Sequence, residues 1–128
     1  MAREPQPGTP IEELDTPALL IDLDAFESNV KTMARMLEGQ RARLRPHAKT
    51  HKCPQVALRQ LAAGAVGITC AKLGEAEVLA AAGVRDILVA NQVVGAQKIA
   101  RLIDLARSCE LMVAVDDGAN VEALSRAC

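Results

Sequence analysis

Aromatic side chains are almost missing from this sequence, which has one Phe and no Tyr or Trp among its 128 residues. A hydrophobic core must therefore be built from Leu, Ile, Val and Ala, which is typical of α/β proteins with buried parallel strands. The scarcity of aromatic rings also argues against binding of single-stranded nucleic acid, because such binding uses aromatic platforms on which the bases stack.

An excess of charge and long apolar runs are missing as well. The chain has 15 Lys and Arg against 16 Asp and Glu, a formal net charge of −1. This balance argues against nucleic-acid binding through bulk positive charge. No apolar run approaches the roughly 20 residues of a membrane helix, and the opening residues, MAREPQPGTPIEE, lack the apolar core of a secretory signal. We therefore expect a cytoplasmic protein with no nucleic-acid or membrane partner.

Closely spaced cysteine pairs are also missing. The four cysteines are Cys53, Cys70, Cys109 and Cys128, and no two of them form a CxxC motif. Cysteines of a cytoplasmic protein stay reduced, so we interpret three of them as ordinary thiols of the core or surface. Cys70 is of more interest because it lies near the end of a predicted strand.

Short apolar segments alternate along the chain with segments of helical periodicity. The predicted strands are residues 18–23, 42–49, 66–71, 86–91 and 111–117, and the predicted helices are residues 25–38, 54–64, 74–83, 95–109 and 118 onward. Asp24 is the expected N-cap of the first helix. Strands that alternate with helices in this way predict βαβ units and a parallel sheet.

Two α/β architectures compete for this pattern. A doubly wound dinucleotide-binding sheet has a G-x-G-x-x-G motif after its first strand, whereas the first strand here leads into DLDAFESN. Four strand–helix units after the leading strand correspond to half of an eight-unit barrel. The predicted fold is therefore α/β, a partial (β/α)8 TIM barrel of parallel strands alternating with helices, with residues 1–14 as a polar leader.

One segment, RARLRPHAKTHK (residues 41–52), carries five basic residues and both histidines without any acid. A solvated basic loop is the simplest interpretation. A second is a zinc-binding helix, because His47 and His51 have the i, i+4 spacing of such a helix. However, Pro46 disfavours helix in the residue before it, and position 48 is an alanine rather than the glutamate of the zinc motif.

A third interpretation of this segment is a reactive lysine. Lys49 is predicted at the C-terminal end of a barrel strand, where barrel enzymes have their active sites. Crowding by Arg45, Lys52 and the two histidines would favour the neutral amine over the charged one. The neutral amine is the form that attacks carbonyl groups. The spacing alone permits each of these interpretations.

The string LRPHAKTHK (residues 44–52) resembles the cofactor-lysine motif of the D-threonine aldolase / D-serine dehydratase family. These are fold-type III, alanine racemase-like enzymes that use pyridoxal 5'-phosphate (PLP). Four further segments are similar in order and spacing to the strand–helix joints of that family: DTPALLIDLDAFESNV, GITCAKLGEAEVLAAAG, DILVANQVVG and LMVAVDDGANVEALS. The resemblance covers nearly the whole chain after residue 14.

The resemblance implies a specific chemistry. The lysine at the Lys49 position carries PLP as a Schiff base, within a (β/α)8 barrel that is followed by a β-rich domain. The substrates are D-β-hydroxy amino acids, the reactions are retro-aldol cleavage or β-elimination, and the enzymes are typically homodimers. A divalent metal is held by the C-terminal domain. We therefore expect residues 15–128 to be the N-terminal part of a PLP-binding barrel, with no metal ligands of its own and inactive in isolation.

The resemblance also assigns candidate site residues. Lys49 is the expected catalytic residue and PLP attachment point. Four motif residues are expected to line the cofactor side of the barrel mouth: Arg45, His47, Thr50 and His51. Gln92 follows a predicted strand and is the expected contact to the ring or substrate. Asp116 and Asp117 end the last predicted strand, where side chains face the site, but they could equally cap the helix that begins at Gly118. Glu75 and Glu77 lie in the first turn of a helix, where the macrodipole explains them without a function.

Two other functions remain open at this point. One is a non-catalytic PLP-binding protein of the single-domain alanine racemase-like type, with a role in PLP homeostasis. The other is an amino-acid racemase of the same fold. Within the preferred lyase class, the sequence does not separate an aldolase from a dehydratase.

Overall fold

Three short parallel strands and the helices that cover one of their faces form the centre of the structure, a computed structural model that describes residues 5–128. The helices are α1 (Leu23–Leu37), α2 (Pro54–Ala62), α3 (Leu73–Ala81), α4 (Ala96–Ala106) and α5 (Gly118–Ala127), and the strands are β1 (Ile68–Cys70), β2 (Asp86–Val89) and β3 (Glu110–Val113). Two 3-10 turns cover Ile11–Glu13 and Ala48–Thr50. The first four residues of the predicted leader lie outside the described residues.

The sheet has the order β1-β2-β3, and both strand pairs are parallel. A fourth parallel segment runs beside β1 but is paired only at one bridge, between His47 and Thr69. Backbone hydrogen bonds run from the Val66 amide to the Leu44 carbonyl (2.9 Å) and from the Thr69 amide to the Pro46 carbonyl (2.8 Å). Because proline has no N–H, this segment accepts hydrogen bonds from β1 at Pro46 without returning one.

The two faces of the sheet have different surroundings. The side chains on one face of the sheet, those of Ile68, Cys70, Ile87 and Val89, are fully buried against α3 and α4. Together with Leu79, Val84, Ile99 and Leu102 they form the core. Side chains of the other face alternate with them along each strand. Leu88 is partly buried there, and Met112 is 42% exposed. The helices therefore cover one side of the sheet only.

The predicted strand at residues 18–23 is wrong. The residues before Leu23 are extended but pair with no strand in the described part of the chain, and Leu19 is 83% exposed. An apolar run becomes a strand only where a neighbouring strand supplies backbone partners. The N-cap of α1 is also different from the expected Asp24, because the Asp22 carboxylate accepts the Ala25 amide (2.9 Å) and α1 begins two residues earlier.

The predicted strand at residues 42–49 is confirmed only at its single bridge. After His47 the chain turns into the 3-10 turn Ala48–Thr50. The other predicted strands and helices are confirmed, with bounds that differ by no more than four residues at either end. Pro54 stands at the start of α2 as predicted. The Asp117 carboxylate caps α5 by accepting the Ala119 amide (2.8 Å).

An ion pair at the N-terminal ends of the strands joins the outer segment to the middle of the sheet. The Arg45 guanidinium donates to both carboxylate oxygens of Asp86, at 2.7 and 3.1 Å, and it crosses over Gly67 to reach them. A methyl group at Gly67 would meet the guanidinium and would lie 2.7 Å from the Asp86 carbonyl oxygen. Gly67 is therefore the residue that leaves room for this ion pair.

We predict that Gly67→Ala lowers the free energy of unfolding by about 1–3 kcal/mol, the usual range for overpacking in a closely packed region. Gly74→Ala is the matched control, because nothing lies within 4 Å of a methyl group there. The measurement is urea unfolding of the full-length variants. Equal stability of the two variants would contradict the close approach at Gly67.

Candidate functional site

The carboxyl ends of the parallel segments meet on one side of the molecule, where side chains from the loops bond to one another. The Asn91 amide donates to the Ala71 carbonyl oxygen (3.2 Å), and its own oxygen accepts the Gln92 amide N–H (3.0 Å). The Gln92 side-chain amide donates to the Asp116 carboxylate (2.8 Å). The loops after β1, β2 and β3 are thereby connected in sequence, which makes this edge the candidate site.

Lys49 lies at the same edge, on the 3-10 turn that follows the outer parallel segment. Its side chain is exposed, and within residues 5–128 its amine is in no ion pair. The neighbouring cations of the motif are different, since Arg45 is paired with Asp86 (2.7 Å) and Lys52 approaches Glu75 (4.0 Å). The prediction that Arg45 and Lys52 crowd Lys49 with unpaired positive charge is therefore wrong.

The turn that carries Lys49 is held by its neighbours. The His47 ring accepts the backbone N–H of Lys49 at Nδ1 (3.2 Å), and the Thr50 hydroxyl donates to the His47 carbonyl oxygen (3.3 Å). The first amides of a helical turn have no partner within the turn, so the His47 ring takes the place of the usual capping side chain. His47 and Thr50 thus lie beside Lys49, as expected from the sequence.

His51 lies in a more enclosed place. Its Nδ1 accepts the backbone N–H of Cys53 (3.1 Å), and its Nε2 is buried. Burial lowers the pKa of His51 below the ordinary value of 6.5, and the ring lies close to the Gln60 side chain of α2. The ring therefore faces α2. Its hydrogen bonds support the turn on the side of α2, and the ring does not lie on the exposed side with Lys49.

Arg45 is not brought to the Lys49 turn. Its guanidinium bonds to Asp86, the first residue of β2, and so lies at the end of the sheet opposite to Lys49. This placement corrects the expectation that Arg45 lines the cofactor side of the barrel mouth. The physical reason is the partly buried carboxylate, which offers Arg45 two charge-assisted hydrogen bonds.

Glu75 is a site residue that the sequence analysis explained only by its place in a helix. Its carboxylate accepts the Ala71 amide (2.9 Å) at the end of β1 and approaches the Lys52 amine (4.0 Å) on the lysine turn. Burial and, as the smaller cause, the negative charge of Glu75 together raise the pKa of the Cys70 thiol to about 11. A Glu in the first turn that reaches back to an amide before the helix is the signal that identifies it.

Asp86 is the second residue that the sequence analysis missed. A charged residue that opens an otherwise apolar strand needs a partner when it is partly buried, and this rule points to Asp86 but not to Arg45 as the partner. Among residues 5–128 no group of three or more His, Cys, Asp or Glu side chains is placed to hold a metal ion. In the same part of the chain no helix is both long and apolar enough to span a membrane.

The lowered pKa of His51 predicts a pH-dependent contribution to stability. Between 6.5 and the lower folded pKa, the unfolded chain binds more protons than the folded chain, so stability falls as the pH is lowered through this window. The control is His51→Asn, whose amide oxygen can still accept the Cys53 N–H but does not titrate. We expect the difference in unfolding free energy between wild type and His51→Asn to shift against wild type below pH 6.5. Urea unfolding at several pH values tests this, and a difference independent of pH would contradict it.

Comparison with known proteins gives close relatives over nearly the whole chain. A D-threonine aldolase of Arthrobacter sp is 48% identical over 122 residues, covering 95% of this chain and 32% of that enzyme. A D-threo-3-hydroxyaspartate dehydratase of Delftia sp. (strain HT23) is 44% identical over 113 residues, covering 88% of this chain and 30% of that enzyme. The chain thus spans about one third of the length of these relatives.

Solved structures agree with the sequence relatives. The crystal structure of D-threonine aldolase from Filomicrobium marinum matches with a TM-score of 0.86 and 51% identity, covering 88% of this chain and 31% of that one. A variant of D-threo-3-hydroxyaspartate dehydratase in the metal-free form matches with a TM-score of 0.79, 43% identity and 89% of this chain covered, against 30% of its own.

Residues 21–128 match the family described as alanine racemase, N-terminal domain. The predicted α/β fold, with parallel strands alternating with helices as in the barrel domain of fold-type III enzymes, is confirmed by this match and by the aldolase structure. The family resemblance found in the motif around Lys49 is confirmed as well. This chain belongs to the alanine racemase N-terminal domain family.

Proposed function

We propose that this chain is the N-terminal part of a PLP-dependent lyase that acts on D-β-hydroxy amino acids. The observation that carries the proposal is the placement of Lys49, whose amine is exposed and in no ion pair within residues 5–128, at the carboxyl ends of the parallel segments. The relatives support the substrate class, since they are a D-threonine aldolase and a D-threo-3-hydroxyaspartate dehydratase.

The residues around Lys49 fit a PLP site in their chemistry. Lys49 would hold PLP covalently through its amine, with loss of one water from the aldehyde and the amine. This attachment needs a reachable amine, and the Lys49 amine is exposed and in no ion pair within residues 5–128. When bound, PLP supplies an electron sink for negative charge that develops at the substrate α-carbon.

The other residues of this edge hold the Lys49 turn in place and orient the Gln92 side chain. His47 and Thr50 fix the backbone of the turn, which fixes where the Lys49 side chain starts. Glu75 connects this turn, through Lys52, to the end of β1. Gln92 is oriented by Asp116 and presents an amide at the edge where the ligand would lie. A Lys49 amine not bonded to the cofactor would be able to accept a proton at Nζ.

The finer parts of the proposal rest on the family resemblance and on the relatives. The remaining barrel strands, a C-terminal β domain and a divalent metal held by that domain are proposed to complete the enzyme. The metal would act as a Lewis acid on the substrate hydroxyl, and the metal-free form of the related dehydratase is consistent with such a site in that protein. A cytoplasmic homodimer is proposed on the same basis.

Lys49→Arg should abolish covalent attachment of PLP. We expect borohydride treatment of the full-length protein with PLP, followed by peptide mapping, to label the peptide that contains Lys49. Arginine keeps the charge but does not form the C=N bond. Lys98→Arg is the control, because Lys98 is also exposed and in no ion pair within the described residues, and it should keep full labelling. Label on another lysine would overturn the attachment site.

The products separate the proposed reaction types. Retro-aldol cleavage of D-threonine gives glycine and acetaldehyde, whereas dehydration of a 3-hydroxy amino acid gives a 2-oxo acid and ammonia. We expect full-length protein with PLP and a divalent metal to form one of these product pairs from D-threonine or D-threo-3-hydroxyaspartate. The L-isomers serve as controls. PLP binding without turnover of any D-substrate would favour the non-catalytic PLP-binding function, and interconversion of D- and L-isomers would favour the racemase.

A further inference from the structure

His47 and His51 make the same kind of bond in two successive turns. Each ring accepts, at Nδ1, the backbone N–H of the residue two positions further on: Lys49 for His47 (3.2 Å) and Cys53 for His51 (3.1 Å). The two rings are four residues apart, which is the spacing that suggests a shared metal or a proton relay. The hydrogen bonds point to a different use.

The bond to a backbone N–H determines the protonation state of the ring. Nδ1 can accept this hydrogen bond only when it carries no proton, because a protonated nitrogen would place two hydrogens against each other. In a neutral imidazole the remaining proton is then on Nε2. His47 is therefore a neutral ring with Nδ1 as acceptor and Nε2–H as donor for as long as the cap on Lys49 exists.

The surroundings of the two Nε2 atoms differ. His51 Nε2 and the Gln60 side-chain oxygen are both buried, and neither has a hydrogen-bond partner within residues 5–128. His47 is the residue that is bridged to Thr69, and its side chain lies on the face of the sheet opposite the helices. Within residues 5–128 no group accepts a hydrogen bond from His47 Nε2, and the ring is partly exposed. His47 thus has one side engaged with the lysine turn and one side free.

We propose that His47 is a positioning residue for Lys49, locked as the Nε2–H tautomer by the Lys49 backbone, and that it does not transfer protons in the reaction. The proposal deepens the proposed function, on which its relevance to catalysis rests. The ring holds the amide of the residue whose side chain attaches PLP, so its loss would loosen the starting point of that side chain. The free Nε2–H is a fixed donor for an oxygen atom of a ligand at this edge.

The first test reads the tautomer directly and needs no cofactor. Nitrogen-15 NMR of histidine-labelled full-length protein, without PLP and at mildly alkaline pH, distinguishes a protonated from an unprotonated ring nitrogen. We expect Nδ1 unprotonated and Nε2 protonated for both histidines, with assignment by the single variants. A protonated Nδ1 at His47 would overturn the proposal, whether or not the protein binds PLP.

The second test compares two substitutions, each of which keeps a polar group near the position of one ring nitrogen. His47→Asn retains an acceptor where Nδ1 lies, since Asn is a good N-cap, whereas His47→Gln places its amide further out, near the Nε2 position. We expect the Lys49 amide to exchange with solvent about fivefold to tenfold faster in His47→Gln, the effect of losing one ordinary hydrogen bond. His47→Asn should exchange as wild type does.

An internal control is available in the same turn. The Lys52 amide bonds to the Ala48 carbonyl oxygen (2.8 Å) and does not contact the His47 ring, so its exchange should be unchanged in both variants. Faster exchange at both amides would mean general unfolding of the turn, and unchanged exchange at Lys49 in His47→Gln would mean that the ring does not hold it. Either result would overturn the positioning role.

A kinetic comparison relates the positioning role to the proposed function. In PLP-loaded protein with measurable turnover, His47→Asn should lower kcat by less than about tenfold because it keeps the cap on Lys49, whereas loss of a proton-transferring group costs about 10²–10⁴-fold. A loss of about 10²-fold or more in His47→Asn would overturn the claim that His47 transfers no proton. Absence of PLP binding in wild type would overturn the proposed function and leave the NMR and exchange results to decide the tautomer.

Discussion

The ion pair between Arg45 and Asp86 is the contact that fastens the lysine-bearing segment to the rest of the sheet. That segment pairs with β1 at a single bridge and, through Pro46, accepts a hydrogen bond without donating one. Two parallel hydrogen bonds from one guanidinium to one carboxylate define both distance and orientation. They reach past β1 to β2, so the segment is tied to the middle of the sheet rather than only to its neighbour.

The placement of charge around Lys49 follows from this arrangement. Arg45 is held at the far end of the strands by Asp86, and Lys52 is directed toward Glu75. The two histidines use Nδ1 as hydrogen-bond acceptors and are neutral in these roles. Two of the five basic residues of this segment are therefore paired with acids, and within residues 5–128 Arg41, Arg43 and Lys49 are in no ion pair. Of these three, Lys49 is the one that lies at the carboxyl ends of the parallel segments. The basic composition of this segment does not by itself indicate an anion-binding surface.

Much of the fold could be predicted from the sequence because the signal was local. Apolar runs identified β1, β2 and β3, and helical periodicity identified the helices between them. The apolar run at residues 18–23 has the same signal without a strand, because the backbone partner of a strand is not encoded in its own residues. Lys49 was found through a motif, whereas the ion pairs of its segment, Arg45 with Asp86 and Lys52 with Glu75, join residues more than 20 positions apart.

The spacing of His47 and His51 did not determine what the two rings do. This spacing is that of a metal-binding helix, yet the two rings lie in turns, and one nitrogen of each ring accepts a hydrogen bond from a backbone N–H. Which nitrogen carries the proton depends on a hydrogen bond to the second residue along the chain. That bond exists only because the 3-10 turn forms after Pro46, so residue types and spacing alone did not reveal it.

The environment of Cys70 has a consequence for selectivity among nucleophiles. An aldehyde ligand reacts reversibly with thiolates as well as with amines, and Cys70 stands at the end of β1, the strand next to the lysine turn. The thiol is buried, and its pKa is raised to about 11 by this burial and by the charge of Glu75. At neutral pH it is therefore protonated and enclosed, and does not compete for an aldehyde. Burial, with a smaller contribution from Glu75, thus suppresses the sulfur nucleophile beside the lysine turn, which leaves the Lys49 amine as the nucleophile of the proposed site.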